Sequence, residues 1–293
     1  MIRLRKIMKR MDAVWNIRTI TRTLEMIAAG RLARWRKQRQ QLASTVGPME
    51  HMLASAMAAT DPAEHPLLNA VAEGRSGVLV LAGDRGLCGG YNHHVLSEAC
   101  RVVAPLDPGQ VRTYVFGRRG AAMARIGFTA RVEGRPVRLP GPHRAWAWFR
   151  QAEIVSRVAD LVDELMEEFA LGWIGSLQVV HMALGAGGAV LPKVTRLLPV
   201  AAAEGTAPVG HQFVPDPDTV LEALLPMAVR IRAMQCFIEA GLAEQTARLH
   251  AMSSATQNAG DMILRLNRQI NHARQGRITA EMCELAAGVE ASE

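Results

Sequence analysis

The stretch ATQNAGDMILRLNRQINHARQGRITAEMCELAAG, residues 255–288, lies in the longest apolar repeat of the chain. From residue 231 onward, apolar side chains return mostly every three or four residues, at Ile231, Met234, Ile238, Leu242, Leu249, Met252, Met262, Leu266, Ile270, Ile278, Met282 and Leu285. This spacing is typical of a helix that packs along one stripe against another helix, and it predicts a single helix over residues 221–289. At roughly 1.5 Å per residue such a helix is about 100 Å long, so it is expected to protrude from any compact domain of this chain.

A second long helix is predicted at the amino-terminal end. Its apolar residues form a matching stripe, at Leu4, Ile7, Met11, Val14, Ile17, Leu24, Ile27, Leu32 and Trp35. Gly47 and Pro48 are expected to break this helix, because proline removes a backbone donor. Matching stripes favour an antiparallel coiled coil of the two terminal helices, with a domain inserted between them. The predicted segments are a coiled-coil helix at residues 1–69, the inserted domain at 70–215 and a second coiled-coil helix at 216–293.

The inserted region alternates short β-like and helical stretches, which is the pattern of an α/β domain with parallel strands. Strands are predicted at residues 77–82, 111–116, 130–132 and 177–182, and helices at residues 93–103, 117–125 and 145–169. The fold class is therefore α/β, with a long antiparallel coiled coil of the N- and C-terminal helices and an inserted Rossmann-like α/β domain.

Charge is concentrated in the first helix. The whole chain has a formal net charge of +7, whereas residues 1–41 contain twelve Lys or Arg against Asp12 and Glu25, a local net charge of +10. Such a run indicates either a solvated helix face or an acidic partner. The basic residues interleave with the apolar stripe, and no nucleic-acid fold signature or stacking aromatic accompanies them. An acidic protein surface is therefore favoured over nucleic acid.

Composition indicates a soluble cytoplasmic protein. No apolar run approaches the roughly 18 residues that span a bilayer, and the basic start MIRLRKIMKR is not followed by the apolar core of a secretory signal. The four cysteines, Cys88, Cys100, Cys236 and Cys283, show no metal-type spacing. We expect reduced thiols that pack as small apolar side chains.

The sequence GDRGLCGGYN, residues 83–92, follows a predicted strand and precedes a predicted helix. Glycines in that position can bind phosphate, but the spacing fits neither GxGxxG nor GxxxxGK[ST] and the loop has no lysine, so a structural turn is favoured. The glycine cluster at residues 185–188 is interpreted as a flexible loop at the sheet edge. Glu164, Glu167 and Glu168 are interpreted as the solvated face of a helix. The sequence therefore predicts no catalytic residues, no cofactor and no metal site.

Three blocks make the chain resemble the gamma subunit of F-type rotary ATP synthases over essentially its full length. The first is IRTITRTLEMIAAGR at residues 17–31, and the second is DRGLCGG at residues 84–90. The third and strongest is the quoted stretch at residues 255–288, which is similar to the family's C-terminal signature AT-x-NA, N-x-x-RQ-x-x-IT-x-E and E-[IL]-x-x-G. Weaker agreement at VTRLLPV and FVPDPDTVLEALLP, residues 194–200 and 213–226, fills the interval.

The resemblance implies a central rotor shaft that couples ion-driven rotation of a membrane ring to conformational cycling of catalytic subunits, for ATP synthesis or hydrolysis. The chain itself would be non-catalytic. Its implied partners are three alpha and three beta subunits, the epsilon subunit and the membrane c-ring. The implied location is peripheral, on the cytoplasmic face of the bacterial inner membrane.

The resemblance also assigns contact residues. Arg274, Gln275 and Thr279 match positions that in the family bond to loops of the catalytic subunits. Ala286, Ala287 and Gly288 match a small-residue tip that turns in an apolar sleeve. Leu24 and Glu25 match the N-terminal segment opposite that tip, near acidic lever segments of the beta subunits. From the residues alone, ordinary coiled-coil packing or a solvated face would be favoured for each of these positions.

Departures from the family pattern leave alternatives open. Leu24 replaces a usual methionine, Gly30 and Arg31 replace a small residue and lysine, and GAGGAV at residues 185–190 replaces a more polar segment. These changes suggest a divergent branch, with a sodium-translocating F-type ATPase working mainly in hydrolysis as the alternative. Two rivals from other classes are a nucleotide-dependent enzyme using the loop at residues 83–92 and a basic coiled coil that binds DNA.

Overall fold

The computed structural model describes residues 2–60, 65–69, 74–201 and 213–290. In chain order its helices and strands are α1 (Ile2–Ala59), β1 (Arg75–Leu81), α2 (Tyr91–Val103), β2 (Val111–Phe116), α3 (Arg118–Arg125), β3 (Thr129–Val132), β4 (Arg135–Arg138), β5 (Arg144–Trp146), α4 (Ile154–Ala170), β6 (Ile174–Leu184), β7 (Val190–Leu198) and α5 (Pro217–Glu290). Both long terminal helices are therefore confirmed. Within the described residues, no helix has the length and apolar character needed to cross a membrane.

Contacts divide the chain into two compact units. The terminal unit comprises Met1–Ala29 and Arg248–Glu293, and the central unit comprises Gly30–Ala247. The division into three segments at residues 69 and 215 stays a prediction.

In the terminal unit, the start of α1 pairs with the end of α5. Thr256 Oγ1 donates a hydrogen bond to Thr21 Oγ1 at 2.9 Å. Further along the pair, Val14 is buried with Ala259, Ile263 and Leu266. Residue numbers fall along α1 as they rise along α5, so the two helices run antiparallel. The predicted antiparallel pairing is confirmed here, and burial of apolar side chains stabilises it.

The central unit is built on a five-stranded sheet in the order β5-β2-β1-β6-β7. β1 pairs in parallel with β2 and β6, and β5 pairs in parallel with β2, whereas β7 is antiparallel to β6. Strand β1 is buried from Gly77 to Leu81, as expected for the unbroken apolar run VLVL in a strand that is covered on both faces. The predicted α/β class with a mainly parallel sheet is confirmed, and the antiparallel edge strand β7 was missed.

The predicted break of the first helix near Gly47 and Pro48 is wrong. Pro48 lies inside α1, which continues to Ala59. Proline inside a helix costs about 3 kcal/mol. The residues that follow it, Met49, Leu53 and Ala56, are buried, so packing on this part of the helix offsets the local cost.

The predicted helix over residues 145–169 is also wrong in its first part. Arg144–Trp146 form strand β5, and α4 begins only at Ile154. Pairing of Ala145 with Val115 of β2 holds this segment extended. No Gly or Pro separates it from the helix in the sequence, so the apolar spacing gave no boundary.

The glycine cluster at residues 185–188 forms a tight turn between the paired strands β6 and β7. Gly185 N–H donates to Ala189 O at 2.8 Å. Gly187 and Gly188 have φ values of 72° and 81°, which glycine adopts without strain. The cluster therefore connects two neighbouring strands of a hairpin, a connection that the sequence analysis did not predict because β7 had not been recognised.

Candidate functional site

The DRGLCGG loop, residues 84–90, connects β1 to α2 and has structural partners on both sides. Before it, Gly83 N–H donates to Asn92 Oδ1 of α2 at 2.7 Å. Asp84 accepts hydrogen bonds from Arg118 N–H at 2.9 Å and Nε at 3.0 Å, and from Trp148 N–H at 3.2 Å. Arg118 is the first residue of α3, so the carboxylate lies at a helix N-terminus, where negative charge is favoured.

These contacts set the charge state of Asp84. Partial burial by itself raises the pKa of this carboxyl, but the hydrogen bonds from Arg118 and Trp148, together with the Arg118 charge, lower its pKa overall. The carboxylate is therefore held ionised by its neighbours. It acts as a fixed acceptor that links the loop to α3 and to the segment after β5.

A second set of bonds links the sheet to α5. Tyr91 Oη donates to both Leu81 O and Ala240 O, each at 3.3 Å. Trp148 Nε1 donates to Ala82 O at 2.6 Å. The carboxyl end of β1 is therefore bonded to the part of α5 that belongs to the central unit. Tyr91, directly after the DRGLCGG loop, thus joins the sheet to α5, and the loop itself connects β1 to α2 as a structural turn.

A buried ionic cluster joins β2 to α4, and it corrects one sequence interpretation. Glu168 of α4 is only 4% exposed, so the prediction that it lies on a solvated face is wrong. Tyr114 Oη donates to Glu168 Oε2, and Arg112 Nη1 lies 2.9 Å from the same oxygen. Burial, with the Glu168 carboxylate beside it, raises the pKa of the Tyr114 hydroxyl. Glu164 and Glu167, which precede Glu168 by four residues and by one residue on α4, are exposed as predicted.

A fully buried histidine lies in the β6–β7 hairpin. His181 Nε2 is 3.2 Å from Thr195 Oγ1, and its Nδ1 is 3.4 Å from Met182 O. Glu239 Oε2 of α5 is 3.9 Å from His181 Nδ1 and 3.1 Å from Lys193 Nζ. Burial lowers the pKa of His181 to about 4, although Glu239 opposes the change.

Three of the four cysteines, Cys88, Cys100 and Cys236, are buried, as expected for packed thiols. Burial raises the pKa of the Cys236 thiol to about 12, which keeps it protonated and unreactive. Cys283 is exposed, so the expectation of packing is wrong for this one. Among the described residues, no group of three or more His, Cys, Asp or Glu side chains is placed to hold a metal ion.

The residues predicted to contact catalytic subunits lie in the terminal unit. Arg274, Gln275 and Thr279 are all exposed on α5. Thr279 Oγ1 donates to the backbone carbonyl of Gln275 at 3.0 Å, which leaves the Gln275 side chain available. One turn on, Arg277 pairs with Glu281 at 3.2 Å. The three residues therefore form one exposed stretch of polar side chains, in which Arg274 and Gln275 offer free donors.

The structure does not bring Leu24 and Glu25 opposite the small-residue tip. Leu24 follows Thr21 by three residues on α1, and Thr21 is bonded to Thr256. The tip at residues 286–288 lies thirty residues further along α5, roughly 45 Å at 1.5 Å per residue. The statement that this segment faces the tip is therefore wrong, because the antiparallel register places it beside the region of Met252. Ala286, Ala287 and Gly288 belong to α5, and their side chains lie outside the described part of the chain.

An apolar surface of the terminal unit was missed by sequence analysis. Ile17 and Ile27, assigned to the helix-packing stripe, are 53% and 46% exposed. Further exposed apolar residues of this unit are Met8, Trp15, Ile20, Met26, Met262, Leu264, Ile278 and Met282. Ile20 and Met26 could have indicated this surface, because they do not fit the spacing of the packed stripe at Ile7, Met11 and Val14. Exposed apolar residues in such number are typical of protein interaction surfaces.

Paired terminal helices with exposed apolar and basic side chains, together with an α/β unit, are features of a subunit that packs against other chains in an assembly. The comparisons with known proteins specify which assembly. The family model described as ATP synthase matches residues 3–291. The chain belongs to this family, and specifically resembles its gamma chains.

Relatives and structures agree over nearly the full length. The ATP synthase gamma chain of Kineococcus radiotolerans is 34% identical over 98% of this chain and 96% of its own. The ATP synthase gamma chain of Beutenbergia cavernae is 31% identical over 97% of this chain and 96% of its own. A chain of the Euglena gracilis mitochondrial ATP synthase, solved as OSCP/F1/c-ring in rotational state 3, matches 98% of this chain and 94% of its own with a TM-score of 0.66 and 15% identity. The last comparison supports the fold.

Proposed function

We propose that this chain is the central rotor shaft of an F-type ATP synthase, a subunit that couples ion-driven rotation of a membrane ring to ATP synthesis or hydrolysis. The observation that carries the proposal is the family match over residues 3–291, at up to 34% identity with gamma chains among the relatives compared. The antiparallel pairing of the terminal helices and their exposed apolar surface support it.

The mechanism follows from symmetry. One shaft inside a ring of three alpha and three beta subunits contacts each catalytic subunit with a different face. A body that contacts two conformations differently shifts their equilibrium by the difference in contact free energy. Rotation then passes each catalytic site through the same series of conformations. The shaft needs no catalytic residues of its own, so we infer a non-catalytic subunit.

Exposed side chains of α5 would make the specific contacts. Arg274 has a planar guanidinium suited to a carboxylate on a catalytic-subunit loop, and the Gln275 amide adds a neutral donor next to it. The Thr279 hydroxyl, which donates within the helix, would act as an acceptor. Leu24 and Glu25 would contact the beta subunits at a different height along the shaft. Ala286, Ala287 and Gly288 would form the tip.

The basic first helix supports an acidic partner surface. Its local net charge of +10 over residues 1–41 would attract acidic segments of the beta subunits. The α/β part would contact the epsilon subunit and the c-ring. The complex would lie peripherally on the cytoplasmic face of the bacterial inner membrane. The sodium-translocating alternative gains no support over the main proposal from the relatives, whose names specify no ion.

The proposal is tested by purification of the assembled complex through a tag inserted at residues 203–210. We expect alpha and beta subunits at about three copies each per copy of this chain, with ATPase activity. Recovery of the chain alone, or of the chain with DNA, would contradict the proposal. Saturable binding of ATP or NAD to the isolated chain would favour the rival enzyme.

The contact residues are tested in the same complex. Arg274→Ala is expected to lower ATPase activity severalfold without loss of assembly, because an exposed side chain contributes little to folding. Arg265→Ala is a matched control, since Arg265 is also exposed and lies nine residues away, on the opposite side of α5. Equal activity of the two variants would remove Arg274 from the proposed contact.

A further inference from the structure

A solvent-open cleft of about 530 Å³ lies in the central unit between β5 and the carboxyl-terminal end of α4. Its volume is within the usual range of small-molecule sites. The side chains that line it and carry the argument are Arg144, Trp146, Glu164, Glu167, Glu168 and Trp173. None of them has a part in the rotor proposal, and the inference below stands independently of it.

The cleft has an excess of negative charge. Arg144 Nη1 is 3.0 Å from Glu164 Oε2 and 3.7 Å from Glu168 Oε1. Arg112 Nη1 is 2.9 Å from Glu168 Oε2. Two guanidinium groups thus share two carboxylates, and the third carboxylate, Glu167, has no ion pair within the described ranges. Glu164 and Glu167 are three residues apart on α4, so both lie on the same side of the helix, facing the cleft.

The cleft also offers aromatic and apolar surface beside these carboxylates. Trp173 and Leu171 are 53% and 57% exposed. The Arg112 guanidinium lies 5.5 Å from the Trp173 ring centroid, so this ring already contacts a cation. Trp146 stacks on Tyr114 with ring centroids 6.2 Å apart, which fixes one wall of the cleft.

We propose that this cleft binds an organic cation of the polyamine type. An ammonium group would pair with Glu167, and the methylene chain would contact Trp173 and Leu171. A bare metal ion is a poorer match, because no cluster of three His, Cys, Asp or Glu side chains suited to a metal occurs in the described part of the chain. Aromatic rings next to a carboxylate favour a cation with an apolar stem.

The test is calorimetric titration of the full-length chain with spermidine. We expect saturable binding of one spermidine per chain that Mg²⁺ at equal ionic strength does not displace. The net charge of +7 makes non-specific attraction of a polycation unfavourable, so saturation would report a site. Absence of binding, or displacement by Mg²⁺ at equal ionic strength, would overturn the proposal.

Variants locate the site. Glu167→Gln is expected to weaken spermidine binding about fivefold, as loss of an exposed ion pair does. Trp173→Leu should weaken it by a similar or smaller factor, because the methylene chain loses its contact with the indole ring. Glu153→Gln is the matched control, because Glu153 is an exposed carboxylate at the other end of α4. If Glu167→Gln binds spermidine as tightly as the unchanged chain, the cleft is not the site, whatever the folding of the Trp173 variant.

Discussion

Trp35 of α1 lies directly against Gly241 of α5, so closely that a Cβ at position 241 would be 2.6 Å from both Cε2 and Cζ2 of the indole. Trp35 is 6% exposed and also meets Trp148 edge-on, with ring centroids 6.2 Å apart. Trp148 is the residue that donates to Ala82 beside the DRGLCGG loop. The absence of a side chain at Gly241 therefore lets one indole fill the space between helix and sheet within the central unit.

Gly241→Ala is expected to destabilise the chain by about 1 to 3 kcal/mol, since a methyl group in contact with a packed ring forces the ring to move. Denaturant unfolding followed by circular dichroism measures this. Helix propensity alone would instead predict that Gly241→Ala stabilises the chain by about 1 kcal/mol.

Gly30→Ala is the control for that experiment. Nothing lies within 4 Å of a Cβ placed at Gly30, so no close helix contact uses this glycine in the described structure. We expect a gain of about 0.5 to 1 kcal/mol from propensity. Destabilisation by both substitutions would show that the Trp35 contact is not the cause.

Glu168→Gln is expected to destabilise the chain by about 3 to 5 kcal/mol, because it leaves the partly buried Arg112 without its carboxylate. The Tyr114 hydroxyl would keep an acceptor in the amide oxygen, so the loss should come from charge. The measurement is the midpoint of urea unfolding. Glu164→Gln removes an exposed partner of Arg144 and should cost at most about 1 kcal/mol. Similar midpoints for the two variants would contradict the assignment of Glu168 as the buried member.

Leu266→Ala is expected to loosen the helix pair of the terminal unit. Leu266 is 4% exposed in the cluster with Val14 and Ile263, and such truncations cost about 2 to 5 kcal/mol. Hydrogen exchange should become faster in residues 7–21 and 256–266. Leu264→Ala, at a leucine that is 58% exposed, should leave the exchange of the isolated chain unchanged. Equal effects would mean that the pair is not held through this cluster.

Stability should fall as the pH drops from about 6.5 towards 4. His181 has a pKa of about 4 in the folded chain, against 6.5 when unfolded, so the unfolded chain binds the proton first as the pH falls. The neutral His181 therefore contributes up to about 3 kcal/mol to the free energy of unfolding. This contribution is fully present above pH 6.5 and is lost as the pH falls towards 4. Unfolding midpoints at pH 7 and pH 5 measure it, with Glu239 and Lys193 as the charged groups that face the imidazole.

His181→Gln removes this titration while keeping a hydrogen-bonding side chain beside Thr195. The difference between its midpoints at pH 7 and pH 5 should be smaller than that of the unchanged chain. An equal difference would assign the pH dependence to other groups.

Local pattern was sufficient where one interaction dominates. The long helices follow from apolar spacing sustained over many turns, and β1 and β2 follow from apolar runs that only a sheet buried on both faces accommodates. The resemblance to gamma subunits followed from the residues at 255–288, since no general physical pattern produces that order of side chains. Arg274, Gln275 and Thr279 came from that resemblance, and their contacts with a partner stay predictions.

Local pattern failed where a distant contact decides. Pro48 should end a helix, but the buried residues Leu53 and Ala56 after it keep α1 continuous. Glu168 differs from Glu164 and Glu167 only by facing Tyr114 and Arg112, which are more than fifty residues away in the chain. The position of Leu24 relative to the tip depends on helix register, which the Thr21 and Thr256 bond reveals and apolar spacing does not.

The sequence by itself determined the two terminal helices, the α/β class of the region between them and the family, because each depends on side chains close together in the chain or on a long specific match. Only the tertiary structure decided the antiparallel register, the burial of Glu168 and His181, the joint that Tyr91 and Trp148 make, and the cleft beside Glu167. Those features depend on the free energy of contacts between residues far apart in sequence, and periodicity carries no information about which distant residues meet.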